Sequence, residues 1–186
     1  MYSLNNNPVF SKFPELTLGK ANLRQLKRSD AKDFYGYITH DDVKKYLSSQ
    51  EIPNDLLGAE EEMMYWASLF THMRSIYWGI ATKNEGKLIG TCGYNNWSVV
   101  HNRVEISYDL DYNHWGQGIM TEAVGAITKF AFDVLGAKRV QATVVFDNVA
   151  SIKVLEKSGY MCEGKLRNYN MLHNKIVDSF MYSIIR

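Results

Sequence analysis

A chain of 186 residues suits one domain with a sizeable core and would be cramped as two. Apolar residues make up 46% and charged residues 22%, and 21 basic against 20 acidic residues leave a net charge of +1. That balance excludes the basic excess of a nucleic-acid binder and the polybasic run of a membrane-surface protein. No apolar stretch approaches the roughly 18 residues of a membrane span. The start, MYSLNNNPVF, lacks the basic-then-apolar pattern of a signal peptide. Cys92 and Cys162 have neither a CxxC partner nor zinc spacing, which favours a reduced, cytoplasmic setting over a disulfide scaffold.

Residues 1–20 read as a loosely packed lead-in to a single domain over 1–186. Ala21 to Leu26 alternates and is expected as the first strand. Ser29 is the expected N-cap of a helix through Tyr37, and His40 to Leu47 reads as a second short helix. Ala59 to His72 has apolar residues at 63, 66, 67 and 70 and acids in its first turn. That is helix spacing, with carboxylates at the favourable end of the dipole. Met64 falls off the stripe and is expected to be exposed.

The period then changes. Tyr77 to Thr82, Leu88 to Trp97 and Val104 to Leu110 read as a meander turned at Asn84–Lys87 and at His101–Asn102. Gly90 and Gly93 within it predict a bulge or a close approach. Residues 104, 106, 108 and 110 alternate apolar, which puts Glu105, Ser107 and Asp109 together on the other face. A helix-like run over 119–135 follows, with its apolar stripe at 119, 123, 126, 127, 130 and 134 and Gly136 as its C′ residue. Lys138 to Phe146 is a strand, Asn148 to Ser158 a helix closed by Gly159, and the tail gives two or three strands around His173-Asn174-Lys175. The sum is a mixed α/β sheet, antiparallel at first and parallel across one crossover.

Between the meander and the long helix lies NHWGQG, with Gly116 and Gly118 one residue apart. A strand, a short glycine loop and a helix N-terminus together make an anion cradle, because the first-turn N–H groups lack intrahelical partners. A Walker A loop would need GK[ST] where Gly118-Ile119-Met120 stands, and the dinucleotide fingerprint would need a third glycine at Thr121. Spacing alone also allows a tight turn with no ligand. The histidines, 40, 72, 101, 114 and 173, show no HxxxH or HxH spacing, so no metal is expected. Cys92 and Cys162 are expected as small core fillers, and Tyr108, Tyr112 and Tyr160 as packing residues.

YDLDYNHWGQGIMTEA followed by NVASIKVLEKSGY resembles the acyl-CoA-binding core of the GNAT superfamily of N-acetyltransferases. That superfamily's pattern is [QR]xxGx[GA] entering a helix, an Asn after the next strand, and a helix ending in K-x-G-[FY]. Asn113 to Gly118, Asn148, and Lys157-Ser158-Gly159-Tyr160 take those places. The flanks, LIGTCGYNNWSVVHNRVEISYDL and GYMCEGKLRNYNMLHNKIVDSFMYSIIR, resemble the RimJ/RimL-like branch most, and the likeness runs from about Asn22 to the C-terminus.

The resemblance implies a GNAT fold, with a mixed sheet of about seven strands flanked by helices and splayed between the fourth and fifth. It implies acetyl-CoA as donor, no metal, and direct transfer to a primary amine in a ternary complex. The acceptor would be a protein N-terminus, as in ribosomal-protein acetylation, or a small amine such as a polyamine, amino acid or aminoglycoside. No nucleic acid or membrane is implied as partner, and the chain would be a monomer or homodimer. A non-catalytic acyl-CoA sensor is the competing reading. By the same resemblance, backbone N–H groups of Trp115, Gly116, Gln117, Gly118, Ile119 and Met120 hold the pyrophosphate. Asp109, Leu110, Asp111, Asn148 and Ser151 flank the pantetheine arm. Glu105 is the base, the Leu110 N–H the oxyanion donor and Ser151 the acid. There are three departures. Asn113 replaces a Gln or Arg, Ser107 replaces a Gly, and Leu155 stands where many relatives carry the tyrosine that protonates the leaving thiolate.

Overall fold

The computed structural model describes residues 8–186. Its strands are β1 (Leu16–Thr17), β2 (Ala21–Gln25), β3 (Tyr77–Thr82), β4 (Leu88–Ser98), β5 (Arg103–Leu110), β6 (Arg139–Val145), β7 (Met161–Leu172) and β8 (Lys175–Ile185). They form one sheet in the order β1-β2-β3-β4-β5-β6-β8-β7, in which β5 and β6 make the parallel pair. The count exceeds the expected seven because Leu16 and Thr17 pair with Leu23 and Asn22. The lead-in is held from residue 8 onward rather than loose. The rings of Phe10 and Phe13 lie 5.3 and 5.0 Å from that of Phe70, and the Trp78 indole N–H donates to the Pro14 carbonyl at 2.5 Å. Residues 1–7 of the lead-in lie outside the described residues.

The helices are α1 (Ala31–Ile38), α2 (Asp41–Lys44), α3 (Leu56–Thr71), α4 (Ile119–Asp133) and α5 (Val149–Lys157). Ser29 does not cap α1. It sits in a 3-10 turn, and Asp30 directs its carboxylate to the Lys27 N–H and the Arg24 guanidinium instead. α2 is a single turn rather than a helix to Leu47. α3 begins three residues before the expected start, because Asp55 accepts the Gly58 N–H at 2.8 Å and supplies the cap. Its acids therefore fall past the first turn, where the dipole does little for them. Met64 is exposed as expected. On α4 the buried stripe widens to take in Met120, Val124, Thr128 and Ala131, while Val134 ends up 52% exposed beyond the helix. Cys92 is buried, but Cys162 is exposed on β7, the edge strand, and fills no core.

Alternation along the strands separates two apolar layers. Trp78, Ile80 and Ile89 pack with α4 and α5, whereas their neighbours Tyr77 and Leu88 pack with α1 and α3. Gly90 and Gly93 allow close approach between these elements. A Cβ on Gly90 would stand 2.5 Å from the Asp109 carbonyl oxygen, and one on Gly93 2.6 Å from the Tyr77 ring.

The feature that positions the site is a split in the sheet. β5 and β6 pair only at Arg103–Arg139, Val104–Val140 and Glu105–Gln141. Past that point β5 stays on β4 as far as Leu110–Gly90, and β6 stays on β8 as far as Val145–Ser179. The two strands diverge with free edges facing one another. The splay expected between the fourth and fifth strands is this one, renumbered by the extra β1.

Candidate active site

At the open end of the split, β5 passes into α4 through the glycine corner. Gly116 and Gly118 have φ of +73° and +81°, left-handed values that an L side chain adopts only with strain. The first intrahelical bond of α4 runs from the Glu122 N–H to the Gly118 carbonyl. The N–H groups of Gly116 through Thr121 donate to no acceptor among the described residues. An uninterrupted row of free donors at the positive end of a 15-residue helix fits a diphosphate.

The turn itself is built by side chains. Asp111 accepts from the Asn113 N–H and from the Asn113 amide, both at 3.1 Å, and its second oxygen meets His114 Nδ1 at 3.1 Å. The Trp115 indole N–H closes the corner on the Leu110 carbonyl at 2.8 Å. Asn113 thus serves the turn, its short amide reaching back to Asp111. Gln117 donates to the Asn113 carbonyl at 3.1 Å. Lys20, on the turn between β1 and β2, donates its ammonium to the Gln117 carbonyl, and its backbone N–H bonds Glu122 at 3.2 Å. A fixed cation therefore stands beside the free N–H row.

The split opens into a cleft of about 940 Å³. Of the expected site residues, Glu105, Asp109, Leu110, Trp115, Gly116, Gly118, Ile119, Met120, Asn148 and Ser151 line it, but the Trp115 N–H, expected as a pyrophosphate donor, is bonded to the Tyr112 carbonyl at 3.0 Å and is not free. Asp111 and Gln117 do not, being occupied in the turn. The Asp111 N–H pairs back to the Ile89 carbonyl at 2.8 Å, so strand alternation turns the Leu110 and Tyr108 N–H groups toward the cleft. Lys153 and Lys157 line its α5 wall.

On the α4/α5 side, Asn148 caps α5 by accepting the Ser151 N–H at 3.1 Å. The Ser151 hydroxyl lies 2.8 Å from that of Tyr108. Burial pushes the Tyr108 phenol well up, so it stays protonated, and the Ser151 bond draws it partly back. Leu155 is fully buried. The hydroxyl pair thus comes from β5 and from the first turn of α5, one turn before Leu155.

On the α1/α3 side two carboxylates share one strand face. Glu105 lies at the closed end of the split and accepts from the Gln141 amide at 3.0 Å. Asp109 lies at the open end. Its Oδ1 accepts the Tyr37 hydroxyl at 2.5 Å and the Thr91 N–H at 3.1 Å, and its Oδ2 accepts the Thr91 hydroxyl at 2.6 Å. Burial raises its pKa to about 6, against the pull of those donors. Ser107, between them, bonds Asn95 at 2.9 Å and the Tyr77 hydroxyl at 3.0 Å. Lys20, Tyr37, Thr91 and the pairing of Tyr108 with Ser151 escaped sequence reasoning. Each lies 18 or more positions from the residue it contacts, and no local spacing encodes the contact.

A family model described as an acetyltransferase (GNAT) domain matches residues 20–161. The chain is 32% identical over 174 residues to an uncharacterized N-acetyltransferase, YoaA, of Bacillus subtilis (strain 168), covering 94% of this chain and 98% of that protein. It is 30% identical over 101 residues to a ribosomal-protein-serine acetyltransferase of Escherichia coli (strain K12), covering 54% of this chain and 56% of that protein. The structure of Mycobacterium smegmatis RimJ in complex with a CoA disulfide superposes with a TM-score of 0.83 at 18% identity, over 92% of this chain and 87% of that one. That last likeness carries the fold alone.

Proposed function

The chain belongs to the GNAT acetyltransferase family, and from that premise we propose that it transfers acetyl from acetyl-CoA directly to a primary amine, with a protein N-terminus as the acceptor. The observation that carries the donor half is the free N–H row of Gly116 to Thr121 at the mouth of a split sheet. These donors and Lys20 hold the diphosphate, and the free edges of β5 and β6 hold the extended arm. The E. coli relative's name supports a protein acceptor.

Bound there, the thioester supplies an activated acyl carbon and a thiolate leaving group of ordinary pKa about 8.5. The chain does the rest. A carboxylate on the acceptor face of β5 takes a proton from the incoming ammonium, whose pKa of about 8 to 10.4 leaves it charged at neutral pH. The freed nitrogen lone pair forms the C–N bond while the C–S bond breaks with its electron pair on sulfur. The Leu110 N–H meets the negative charge growing on the carbonyl oxygen. Ser151, backed by Tyr108, gives a proton to the sulfur. The nitrogen's second proton leaves to water, the carboxyl group gives its proton to solvent and Ser151 takes one back, so the sum is ammonium plus thioester giving amide, thiol and one proton.

The test is release of free thiol from acetyl-CoA in the presence of a panel of amines. The panel pairs peptides with free Ser and Ala N-termini with spermidine, lysine and an aminoglycoside. The reading predicts thiol release with a peptide and an acetyl group on that peptide's α-nitrogen. Turnover of a small amine alone would replace the acceptor. Leu155 favours a second reading, a sensor that binds acyl-CoA without reacting. Tight CoA binding with no thiol from any amine would select it.

A further inference from the structure

Two carboxylates stand on the acceptor face of β5, and their surroundings differ. Glu105 ends a chain of contacts running from Glu163 to Arg139 at 2.7 Å, from Arg139 to Gln141 at 2.8 Å and from Gln141 to Glu105 at 3.0 Å. It also sits at the last position where β5 and β6 are still paired, at the closed end of the cleft that it lines. Asp109 is four residues further, roughly 13 Å along the strand, in the part of β5 whose far edge is free. Its neighbour Leu110 presents the N–H already assigned to the carbonyl oxygen. Oδ1 is committed to two donors, while Oδ2 accepts one hydroxyl and keeps a lone pair for another donor.

Resting on the acetyltransferase reading above, we propose that Asp109, oriented by Tyr37 and Thr91, is the base that takes the proton from the acceptor ammonium. Glu105 instead fastens the closed end of the split. In the step, the ammonium N–H bond breaks, its electron pair stays on nitrogen, and the proton passes to Asp109 Oδ2. The carboxylic acid so formed later returns the proton to solvent.

The groups facing this carboxylate set its charge. Tyr37 approaches from α1, Tyr77 from β3, Thr91 from β4, Glu62 from α3, and Glu51 from the segment before α3; Cys92 lies behind it on the opposite face of β4, and Asp111 follows on the chain. Burial raises the pKa of Asp109, and the charge of Glu51 adds to the rise; Glu62 is raised in the same way, by burial and by the charges of Glu51 and Asp109. The result, about 6, leaves Asp109 ionised at pH 7 yet a stronger base than an exposed Asp. Tyr37 is itself held protonated by burial and by the adjacent Asp109, so it remains a donor throughout.

The test is the pH profile of kcat/KM from pH 5 to 9, using the panel amine that turns over fastest. A base must be ionised, so activity should fall as pH drops through about 6. Asp109→Asn should lose about 100-fold or more and should lose that acid limb, with KM for acetyl-CoA within threefold of wild type. Tyr37→Phe removes a donor that favours the charged form, so its acid limb should move to higher pH, with the rate recovering once the carboxylate ionises. Glu105→Gln should keep the limb where it is. A limb surviving in Asp109→Asn, or vanishing in Glu105→Gln, would overturn the assignment. So would a Tyr37→Phe enzyme that is slower at every pH with its limb unmoved, which is what a merely structural role predicts. If Asp109→Asn melts early, Tyr37→Phe decides alone. If no amine turns over, the acetyltransferase reading falls together with this one, whereas a wild-type profile in Asp109→Asn removes only the base.

Discussion

Gly118→Val is expected to weaken acetyl-CoA binding about 100-fold and to leave the sheet folded. Gly118 is the N-cap of α4 and holds φ at +81°, where a β-branched residue is strained by about 1–2 kcal/mol. The chain relieves that strain by turning the peptide planes on either side, and those planes carry the free N–H groups of Gly118 and Ile119. A hydrogen bond to a charged group contributes about 1.5–3 kcal/mol, so misaiming one or two costs roughly the 2.7 kcal/mol that corresponds to 100-fold. Titration calorimetry with CoA reads this directly. Gly125→Ala is the control, because Gly125 is an exposed mid-helix residue with open space around its Cβ position. It should bind CoA as wild type does and melt slightly higher. Equal affinity in Gly118→Val and wild type would mean that the corner is only a turn.

Ser151→Ala is expected to lower kcat about 100-fold with little change in KM for acetyl-CoA, the usual size of a general acid's contribution. Tyr108→Phe should fall in the same range although it keeps the ring, because it removes the hydroxyl 2.8 Å from Ser151 and nothing else. If the two hydroxyls work as one relay, the double variant should be no slower than the worse single, a non-additivity that independent sites would not give. Single-turnover rates with one saturating amine make the comparison. Near-wild-type chemistry in Ser151→Ala would mean that the thiolate departs unaided.

Much of this site follows from local chemistry, and the readable parts have something in common. The period-2 run of β5 placed Glu105, Ser107 and Asp109 on one face because strand geometry leaves no other choice. Asn148 and Gly159 bracket α5 because cap and left-handed exit are local requirements. The start of α3 was misplaced for the same kind of reason: Asp55 offered a better cap than the acids downstream could offset. Cys162 was misjudged because its strand proved to be the sheet edge, a property of topology and not of the residue. Tyr37, Thr91 and Lys20 could not be read at all. Each reaches its partner through tertiary folding, with 72, 18 and 97 positions of chain between them. The phenol of Tyr108 was legible as a residue but not as a partner of Ser151, since strand alternation gives its face and not what that face meets.

These pieces describe one arrangement. Parallel pairing that stops after three residues opens a slot in the sheet, and the corner that follows β5 places bare N–H donors at one end of it. A hydroxyl pair lies on one face and a carboxylate held by a tyrosine on the other. A donor arm threaded through the slot would have an amine approaching from the α1/α3 side and a thiolate leaving toward α5.

Amide hydrogen exchange with and without acetyl-CoA, resolved by residue, tests that arrangement most directly. The account predicts marked slowing at Gly116 through Thr121 and at Tyr108 and Leu110, with the Asp111 amide, already bonded to Ile89, little changed. Protection confined to another surface, or none at Gly116 through Thr121 at saturating ligand, would contradict it.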